Sequence, residues 1–380
     1  MPINKCRVCG NDFFKEPLLR YQNMPKAAQY LPDAKFLDSD EGVNLEVCQC
    51  SGCGLVQLNN DPVPYYKEVI RAVAFSDDMK DFRRTQFGSF LKKYSLAGKK
   101  IIEIGCGCGE YLSIIQQFDV DAYGLEHSED SVNECINHGL KVSRGFIEKN
   151  NDKLNNAPFD SFYILSFLEH LPDLNSTLRG IYNNLTDNAI GLVEVPNFDM
   201  ILRNNLFSEF ISDHIFYFTK ETLSSTLNQN GFEIIESNEI WHNYIISAVV
   251  RKRKELDLSH FFKYQEKLKK EFDEYLSRFD NKKVAIWGAG HQALTVISLM
   301  NVADKIRYVV DSAPFKQGKY TPATHIPILS PTVLNSDPVD AIVVMAASYS
   351  NEVAKIIRQK FSINIKISIL RDFNLEEVNE

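Results

Sequence analysis

The amino-acid sequence predicts an α/β protein with more than one domain. Two stretches, residues 80–250 and 283–369, alternate short apolar runs with amphipathic ones, and a glycine-rich turn follows an early apolar run in each. This alternation is typical of βαβ units and parallel sheets. The 380 residues exceed one ordinary hydrophobic core, so two or three domains are expected.

Composition and charge are those of a globular chain in water. Hydrophobic residues make up 44% and charged residues 24% of the chain, and the net charge is −8. The negative charge argues against nucleic-acid or anionic-membrane partners. No apolar run reaches the roughly 18–20 residues of a membrane span, and the N-terminus lacks a signal-peptide core. We therefore expect a cytoplasmic protein with reduced cysteines.

The first alternating stretch predicts a sheet that ends in a hairpin. The predicted strands are Lys99–Ile104, Asp121–Leu125, Leu140–Ser143, Phe159–Phe167 and Ala189–Val195, and the predicted helices are Phe82–Tyr94, Glu110–Phe118 and Ser128–Asn137. Two further strands, Glu233–Glu239 and Tyr244–Arg251, lie too close in sequence for a helix between them, so they predict an antiparallel pair.

The second stretch predicts a smaller domain after a connecting helix. Apolar residues recur at spacings of three and four over residues 251–280, which predicts a helix with one docked face. The elements predicted after it are strands Val284–Trp287, Arg307–Val310, Ala341–Ala346 and Ile365–Ile369 and helices His291–Leu299 and Asn351–Lys360. The expected divisions are an N-terminal module (1–60), a core (61–250), a linking helix (251–280) and a C-terminal domain (281–380).

The N-terminal module has little apolar core of its own but two matched cysteine pairs. Cys6 and Cys9, like Cys50 and Cys53, are separated by two residues, a spacing that lets one tight turn point both thiolates at a single ion. Four thiolates complete a tetrahedron, so we expect a structural zinc ion. Four free cysteines or an iron–sulfur cluster are the alternatives. Cys48 fits the spacing less well and is expected to be a spare thiol.

The glycine-rich turn of the core follows the strand that ends at Ile104. Gly105, Gly107 and Gly109 let the backbone approach a ligand closely. A loop of this kind also occurs in NAD enzymes, but Glu110 stands where the dinucleotide pattern has Gly or Ala. Because a carboxylate there would repel a pyrophosphate, the loop favours a ligand without one.

Two further acids suit a sulfonium nucleoside. Glu103 precedes the loop, where it can receive the ammonium group of a methionine moiety, and Glu126 ends the next strand, where it can accept hydrogen bonds from ribose hydroxyls. With these motifs the chain resembles class I S-adenosylmethionine-dependent methyltransferases. The resemblance implies a Rossmann-like core that binds S-adenosylmethionine at this loop. Cys106 and Cys108 are expected only to fill space there.

The resemblance also assigns residues after the fourth strand of the core. It implies that Ser166, Phe167 and Leu168 line the methionine moiety and that His170 faces the methyl acceptor. The carboxyl ends of parallel strands are where α/β proteins build their sites, which agrees with this placement.

An acid–histidine pair follows the fifth strand. Asp213 and His214 lie among aromatic residues, where a pocket can desolvate an imidazole and a carboxylate can orient it. The hypothesis is that His214 is a general base assisted by Asp213 and His170. The alternative is that the segment only leads into a helix capped by Thr219.

The complete layout resembles the sugar-nucleotide C-methyltransferases of deoxysugar biosynthesis. The cysteine module, the methyltransferase core with its Asp-His pair and the C-terminal Gly-Ala-Gly domain carry this resemblance. It implies C-methylation of a dTDP-4-keto-sugar, in which a base makes an enolate that attacks the methyl group. The family's histidine lies in a Tyr-His-Glu-His-like segment, whereas this chain has Ile211-Ser212-Asp213-His214.

The second glycine-rich turn, with Gly288 and Gly290, matches the dinucleotide pattern better than the first, and Asp311 ends a strand about 20 residues on. The resemblance assigns this domain the diphosphate of a nucleotide sugar, with Lys316 and Tyr320 as further contacts. Three other functions stay open: an O- or N-methyltransferase, an NAD-dependent oxidoreductase using residues 284–345, and a non-catalytic sugar-nucleotide binding protein.

Overall fold

The chain packs as two units, Met1–Lys254 and Glu255–Glu380. The computed structural model describes residues 3–29, 31–67, 76–281, 283–361 and 364–378. Among the described residues no helix combines the length and the apolarity that crossing a bilayer requires.

The N-terminal module is a small antiparallel sheet. Its strands are β1 (Leu19–Met24), β2 (Val43–Gln49) and β3 (Val56–Leu58), and a 3-10 turn spans Ala34–Ser39. The expectation of little apolar core is wrong, because Leu45, Val47 and Leu55 are fully buried. They belong to one hydrophobic cluster with residues of the adjoining core, and β3 pairs with Phe216–Tyr217. The module therefore gains its apolar core by sharing it.

The core of the first unit alternates helices and strands. Its elements are α1 (Asp77–Lys93), β4 (Lys100–Ile104), α2 (Glu110–Ile115), β5 (Asp121–Glu126), α3 (Glu129–Asn137), β6 (Val142–Arg144), β7 (Phe159–Leu165), α4 (Leu174–Asn183), β8 (Leu185–Pro196), α5 (Phe198–Asn204), β9 (Phe216–Tyr217), α6 (Lys220–Gln229), β10 (Phe232–Ile240) and β11 (Ile245–Lys252). Short 3-10 turns span Leu168–His170 and Phe207–Glu209.

The core sheet has seven strands in the order β10-β11-β8-β7-β4-β5-β6. The strands from β8 to β6 in this order are parallel, and β11 is antiparallel to both of its neighbours, as the predicted hairpin requires. Because β4 lies between β5 and β7, the chain crosses to opposite sides of it. Such a reversal opens a crevice at the carboxyl end of the strand. The α/β fold predicted from the sequence is confirmed.

Several element ends differ from the prediction. Helix α1 begins at Asp77 instead of Phe82, because the hydroxyl of Ser76 accepts a hydrogen bond from the Met79 amide and caps the helix there. Helix α2 stops at Ile115, and β8 is longer than expected. Helix α4 was not predicted from the sequence. It is capped by Asp173, whose carboxylate accepts a hydrogen bond from the Ser176 amide.

The second unit is a sheet of seven strands in the order β14-β15-β13-β12-β16-β17-β18. Its elements are α7 (Ser259–Leu276), β12 (Val284–Trp287), α8 (His291–Met300), β13 (Ile306–Val310), β14 (Lys319–Tyr320), β15 (Pro327–Leu329), α9 (Val333–Ser336), β16 (Ala341–Val344), α10 (Ser350–Lys360), β17 (Lys366–Arg371) and β18 (Asn374–Glu377). Strand β12 lies between two parallel neighbours, β13 and β16. Its carboxyl end therefore lies at a second crevice, before Gly288.

The helix predicted over residues 251–280 is shorter and serves the second unit. Arg251 and Lys252 complete β11, so α7 starts only at Ser259. Leu268 and Phe272 of α7 are buried in the hydrophobic cluster of the second unit. The apolar face that the sequence pattern indicated is thus docked on the C-terminal sheet.

Candidate functional site

The first glycine-rich loop leaves the carboxyl end of β4 and turns into α2. Gly105 has φ of +72°, and a Cβ added there would lie 2.7 Å from Cδ1 of Phe167. Gly109, the residue before α2, has φ of +84°, and a Cβ there would lie 2.3 Å from Leu140. Both positions combine a left-handed backbone with a close neighbour, so the loop shape requires glycine.

Glu126 at the end of β5 holds this loop in place. One carboxylate oxygen accepts from the Gly107 amide at 2.8 Å, and the other accepts from the amides of His127 and Ser128 at 2.8 and 2.9 Å. The carboxylate is only 7% exposed. It is therefore fixed beside the loop, at the position from which it was predicted to bind ribose hydroxyls.

Glu103 lies deeper than the loop. Its side chain is 1% exposed, and the Tyr163 hydroxyl donates to it at 3.0 Å. Its contact with the ammonium group of the methionine moiety stays a prediction. Cys106 fills the space beneath the loop as expected, because a Cβ on Gly124 would lie 2.6 Å from its sulfur.

A small cavity of about 10 Å³ lies against the loop. Its lining includes Gly105, Glu126, His127, Phe146 and Phe167. The rings of Phe146 and Phe167 meet edge to face at 6.3 Å. The cavity therefore has aromatic walls beside an acidic residue, at the edge of the glycine-rich loop. Phe146 was missed in the sequence because it follows the very short strand β6.

The segment after β7 carries three predicted lining residues. Ser166 is a non-glycine residue with φ of +50°, and its amide donates to the Glu194 carbonyl at 2.9 Å. Phe167 reaches the cavity, whereas Leu168 is fully buried in the hydrophobic cluster shared with the N-terminal module. Leu168 therefore packs into this cluster, and its contact with the methionine moiety stays a prediction.

A larger cavity of about 700 Å³ adjoins the small one. The two share Lys67 and His127. The other residues that line the larger cavity are Pro25, Lys26, Ala27, Leu31, Pro32, Phe36 and Asp40 of the N-terminal module, together with Pro64 and Tyr65. A methyl acceptor placed there would lie next to a ligand held at the glycine loop. The module thus forms one wall of this larger cavity in addition to carrying the cysteines.

Tyr65 and Asp213 form a hydrogen-bonded pair at this wall. The Tyr65 hydroxyl donates to one Asp213 oxygen at 2.7 Å, and the Ala28 amide donates to the other at 2.8 Å. Burial and the neighbouring carboxylate raise the pKa of Tyr65 to about 12. Asp213 was predicted as a site residue, but Tyr65 was not, since the two lie 148 positions apart in the chain.

Next to Asp213 lies a group of three side chains, of which Glu169 and His170 are buried and His214 is partly exposed. His170 Nδ1 is 2.7 Å from the Asp213 carbonyl oxygen, and the rings of His170 and His214 meet edge to face at 4.8 Å. Burial lowers the pKa of His170, and burial together with His170 lowers that of His214 to about 3. Glu169, which the sequence analysis did not select, is 1% exposed, and burial raises its pKa to about 8.

The four predicted cysteines of the N-terminal module converge. The sulfurs of Cys6 and Cys53 are 3.7 Å apart, and those of Cys9 and Cys50 are 3.3 Å apart. Tetrahedral zinc with Zn–S bonds of about 2.3 Å places its sulfurs about 3.8 Å apart. The donor set and spacing are therefore compatible with zinc. Cys48 is buried apart from this group, with its sulfur near the Glu46 carbonyl.

The second glycine-rich loop has the same construction as the first. Asp311 accepts from the Ala289 amide at 2.8 Å and from the Lys316 ammonium at 2.9 Å. Burial acts to raise the pKa of Asp311, but these hydrogen bonds and that from the Ala313 amide lower it. Among the described residues no side chain caps α8 after Gly290. Tyr320 is 64% exposed on β14.

Comparison with known proteins agrees with this architecture. Residues 79–237 match the family model of a methyltransferase domain, and residues 250–367 match that of a C-methyltransferase C-terminal domain. The chain is 21% identical to the C-methyltransferase NovU of Streptomyces niveus over 93% of its own length and 91% of that protein.

Two solved structures are similar to part of this chain. A methyltransferase of Clostridium acetobutylicum is 14% identical and covers 50% of this chain and 96% of its own, with a TM-score of 0.40. The magnesium protoporphyrin IX methyltransferase of Synechocystis is 14% identical and covers 49% of this chain and 90% of its own, with a TM-score of 0.38. Given the two family models and the curated relative, the chain is an S-adenosylmethionine-dependent methyltransferase similar over nearly its whole length to a C-methyltransferase.

Proposed function

We propose that the protein methylates a carbon next to the ketone of a nucleotide-linked, dTDP-type 4-keto-deoxysugar. The match to a C-methyltransferase C-terminal domain favours carbon as the acceptor atom. The observation that carries the proposal is the Tyr65–Asp213 pair at the wall of the 700 Å³ cavity. Carbon, unlike an amine, must lose a proton to become a nucleophile, so a proton-accepting pair is needed at that place.

The pair can move that proton over a short path. As the α-proton passes to the Tyr65 oxygen, the Tyr65 proton passes to the Asp213 carboxylate, 2.7 Å away. The resulting enolate carbon then forms the new bond. S-adenosylmethionine, when bound, would supply the methyl group as an electrophile: its methyl–sulfur bond would break as the new carbon–carbon bond forms, and the sulfur would keep the electron pair.

His214 was the base in the sequence-based hypothesis, and the proposal changes that role. Its pKa is lowered to about 3, which makes the imidazole a weak proton acceptor. It lines a separate cavity of about 10 Å³ with Glu209, Tyr217 and Tyr244. We therefore assign the proton transfer to Tyr65 and Asp213. His170 keeps an assisting role through its hydrogen bond to the Asp213 carbonyl.

The second unit, taken by itself, is assigned the binding of a nucleotide diphosphate. The uncapped start of α8 after Gly290 offers backbone amides to a diphosphate. Lys316 supplies a positive charge close to that loop, and the exposed ring of Tyr320 can pack on a base or sugar.

The four cysteines of the N-terminal module are assigned a structural zinc ion, because four thiolates leave no open position for a reacting group.

The decisive experiment is mass-spectrometric detection of a methylated product from S-adenosylmethionine and a panel of nucleotide-linked keto-sugars. Deuterium at the carbon next to the ketone should be lost when that carbon is methylated. A product that keeps all of this deuterium, with its methyl group on oxygen or nitrogen, would refute C-methylation. Binding of the sugars without any product would indicate a non-catalytic protein.

Two substitutions test the assigned pair. Tyr65→Phe and Asp213→Asn should each reduce turnover at least about 100-fold, the usual contribution of general acid–base groups. Binding of S-adenosylhomocysteine should be unchanged, because neither residue lines the loop cavity. Tyr66→Phe is the matched control, since this neighbouring ring contacts Phe146 and should keep that contact. Full turnover by Tyr65→Phe would contradict the assignment.

A further inference from the structure

We infer that Glu169, His170 and His214 form a second metal site, which binds a divalent transition-metal ion through two imidazoles and one carboxylate. One ligand atom from each of the three residues lies within 4.8 Å of the others. The inference concerns these side chains alone, so it does not depend on which acceptor is methylated.

The spacing of the donor atoms is close to that of a metal site. His170 Nε2 is 3.8 Å from a carboxylate oxygen of Glu169. Nitrogen and oxygen ligands at about 2.1 Å from a tetrahedral ion are about 3.4 Å apart. A shift of a few tenths of an ångström by the carboxylate would close this difference.

His170 is already oriented as a ligand. Its Nδ1 is 2.7 Å from the Asp213 carbonyl oxygen, which can only accept a hydrogen bond, so Nδ1 carries the proton. The other ring nitrogen, Nε2, then presents a lone pair toward Glu169. Metal-bound histidines almost always donate their second ring N–H to a carbonyl or carboxylate in this way.

The burial and hydrogen bonding of Glu169 support the metal site independently of the donor spacing. It is 1% exposed, and its Oε2 has no hydrogen-bond partner within the described part of the chain. A buried carboxylate without a partner is costly, whereas coordination of a cation would offset that cost. The Glu169 carbonyl also accepts from the Ile215 amide at 2.9 Å, which fixes the turn at Leu168–His170 beside His214.

The donor set defines the class of ion. Magnesium and calcium prefer oxygen ligands, whereas two imidazoles and a carboxylate suit zinc, iron(II), cobalt or nickel. The four thiolates of the N-terminal module form a chemically different site. An ion bound here would clamp the turn after β7 to the segment before β9, next to Asp213.

Metal content of the full-length chain tests the inference. After removal of bound metal, reconstitution with zinc and desalting, we expect two zinc ions per chain by elemental mass spectrometry. Glu169→Gln and His214→Gln should each retain one zinc ion. The matched control, His260→Gln, removes an exposed histidine of α7 and should retain two.

Cobalt distinguishes the two sites spectroscopically. Cobalt at the four cysteines gives thiolate charge-transfer absorption, whereas a second equivalent at the imidazoles and carboxylate adds none. One metal ion in the unsubstituted chain, or two in both Glu169→Gln and His214→Gln, would overturn the inference. Glu169→Gln changes only one oxygen to an amide, so it remains informative if His214→Gln does not fold. Methyl transfer is not measured, so the proposed function is tested separately.

Discussion

Replacing Gly105 by alanine tests how the cofactor loop obtains its shape. The left-handed φ of +72° costs an L-residue roughly 1–2 kcal/mol. The new Cβ would also lie 2.7 Å from Phe167, which is buried and cannot move away freely, and such overpacking costs roughly 1–3 kcal/mol. The present loop conformation should therefore become about 2–5 kcal/mol less favourable.

The expected result is a loss of both stability and cofactor binding. Because each 1.4 kcal/mol is a factor of ten in affinity, Gly105→Ala should weaken S-adenosylhomocysteine binding at least about tenfold in calorimetric titration. Gly98→Ala is the matched control. Gly98 has a similar φ of +68°, but no atom lies within 4 Å of its added Cβ. This control should lower the thermal midpoint modestly and leave the affinity unchanged.

Two results would refute this reasoning. Equal affinities of Gly105→Ala and Gly98→Ala for S-adenosylhomocysteine would show that the contact with Phe167 does not shape the binding loop. A larger loss of thermal stability in Gly98→Ala than in Gly105→Ala would show that the steric cost has been misjudged.

Three further predictions concern the framework around the site. Arg83→Met should destabilise the first unit by about 3–5 kcal/mol in denaturant unfolding, because it leaves the buried Glu194 without its cation. Substitution of the exposed Arg84 by methionine is the control and should change the free energy of unfolding little. Equal effects of the two substitutions would contradict the prediction. Cys9→Ser should lower zinc content by one ion per chain and lower the thermal midpoint, and an unchanged zinc content would exclude the four-cysteine site. The lowered pKa of Asp311 means that its stabilising contribution is present above its ordinary pKa and is lost as the pH falls through the lowered value. In Asp311→Asn, the free energy of unfolding of the C-terminal unit should therefore fall less steeply as the pH is lowered. An unchanged pH dependence in the acid range would show that this carboxylate does not contribute.

Motifs that act through neighbouring residues were predictable from the sequence. The two cysteine pairs and both glycine-rich loops are local patterns. The acid that belongs to each loop ends the next strand, one βα unit further along the chain. Their spacing reflects turn geometry and the regular βα repeat, so position in the chain is enough to place them. The four sulfurs and the Glu126 contact to the Gly107 amide follow those expectations.

Other features depend on contacts between distant segments. The N-terminal module looked too small to have a core, but pairing of β3 with β9 places its leucines in the core of the methyltransferase. The same packing brings Pro25, Leu31 and Phe36 of the module to the wall of the 700 Å³ cavity. No local pattern in residues 1–60 indicates either contact.

By itself the sequence determined the methyl donor, the α/β architecture and the cysteine module, because these rest on short-range spacing and periodicity. Only the tertiary structure decided which polar groups meet on the acceptor side. It joined Tyr65 to Asp213 and placed Glu169 against two histidines. The physical reason is burial: removal from water lowers the pKa of His214 and leaves Glu169 in need of a partner, and burial is a property of the packed fold.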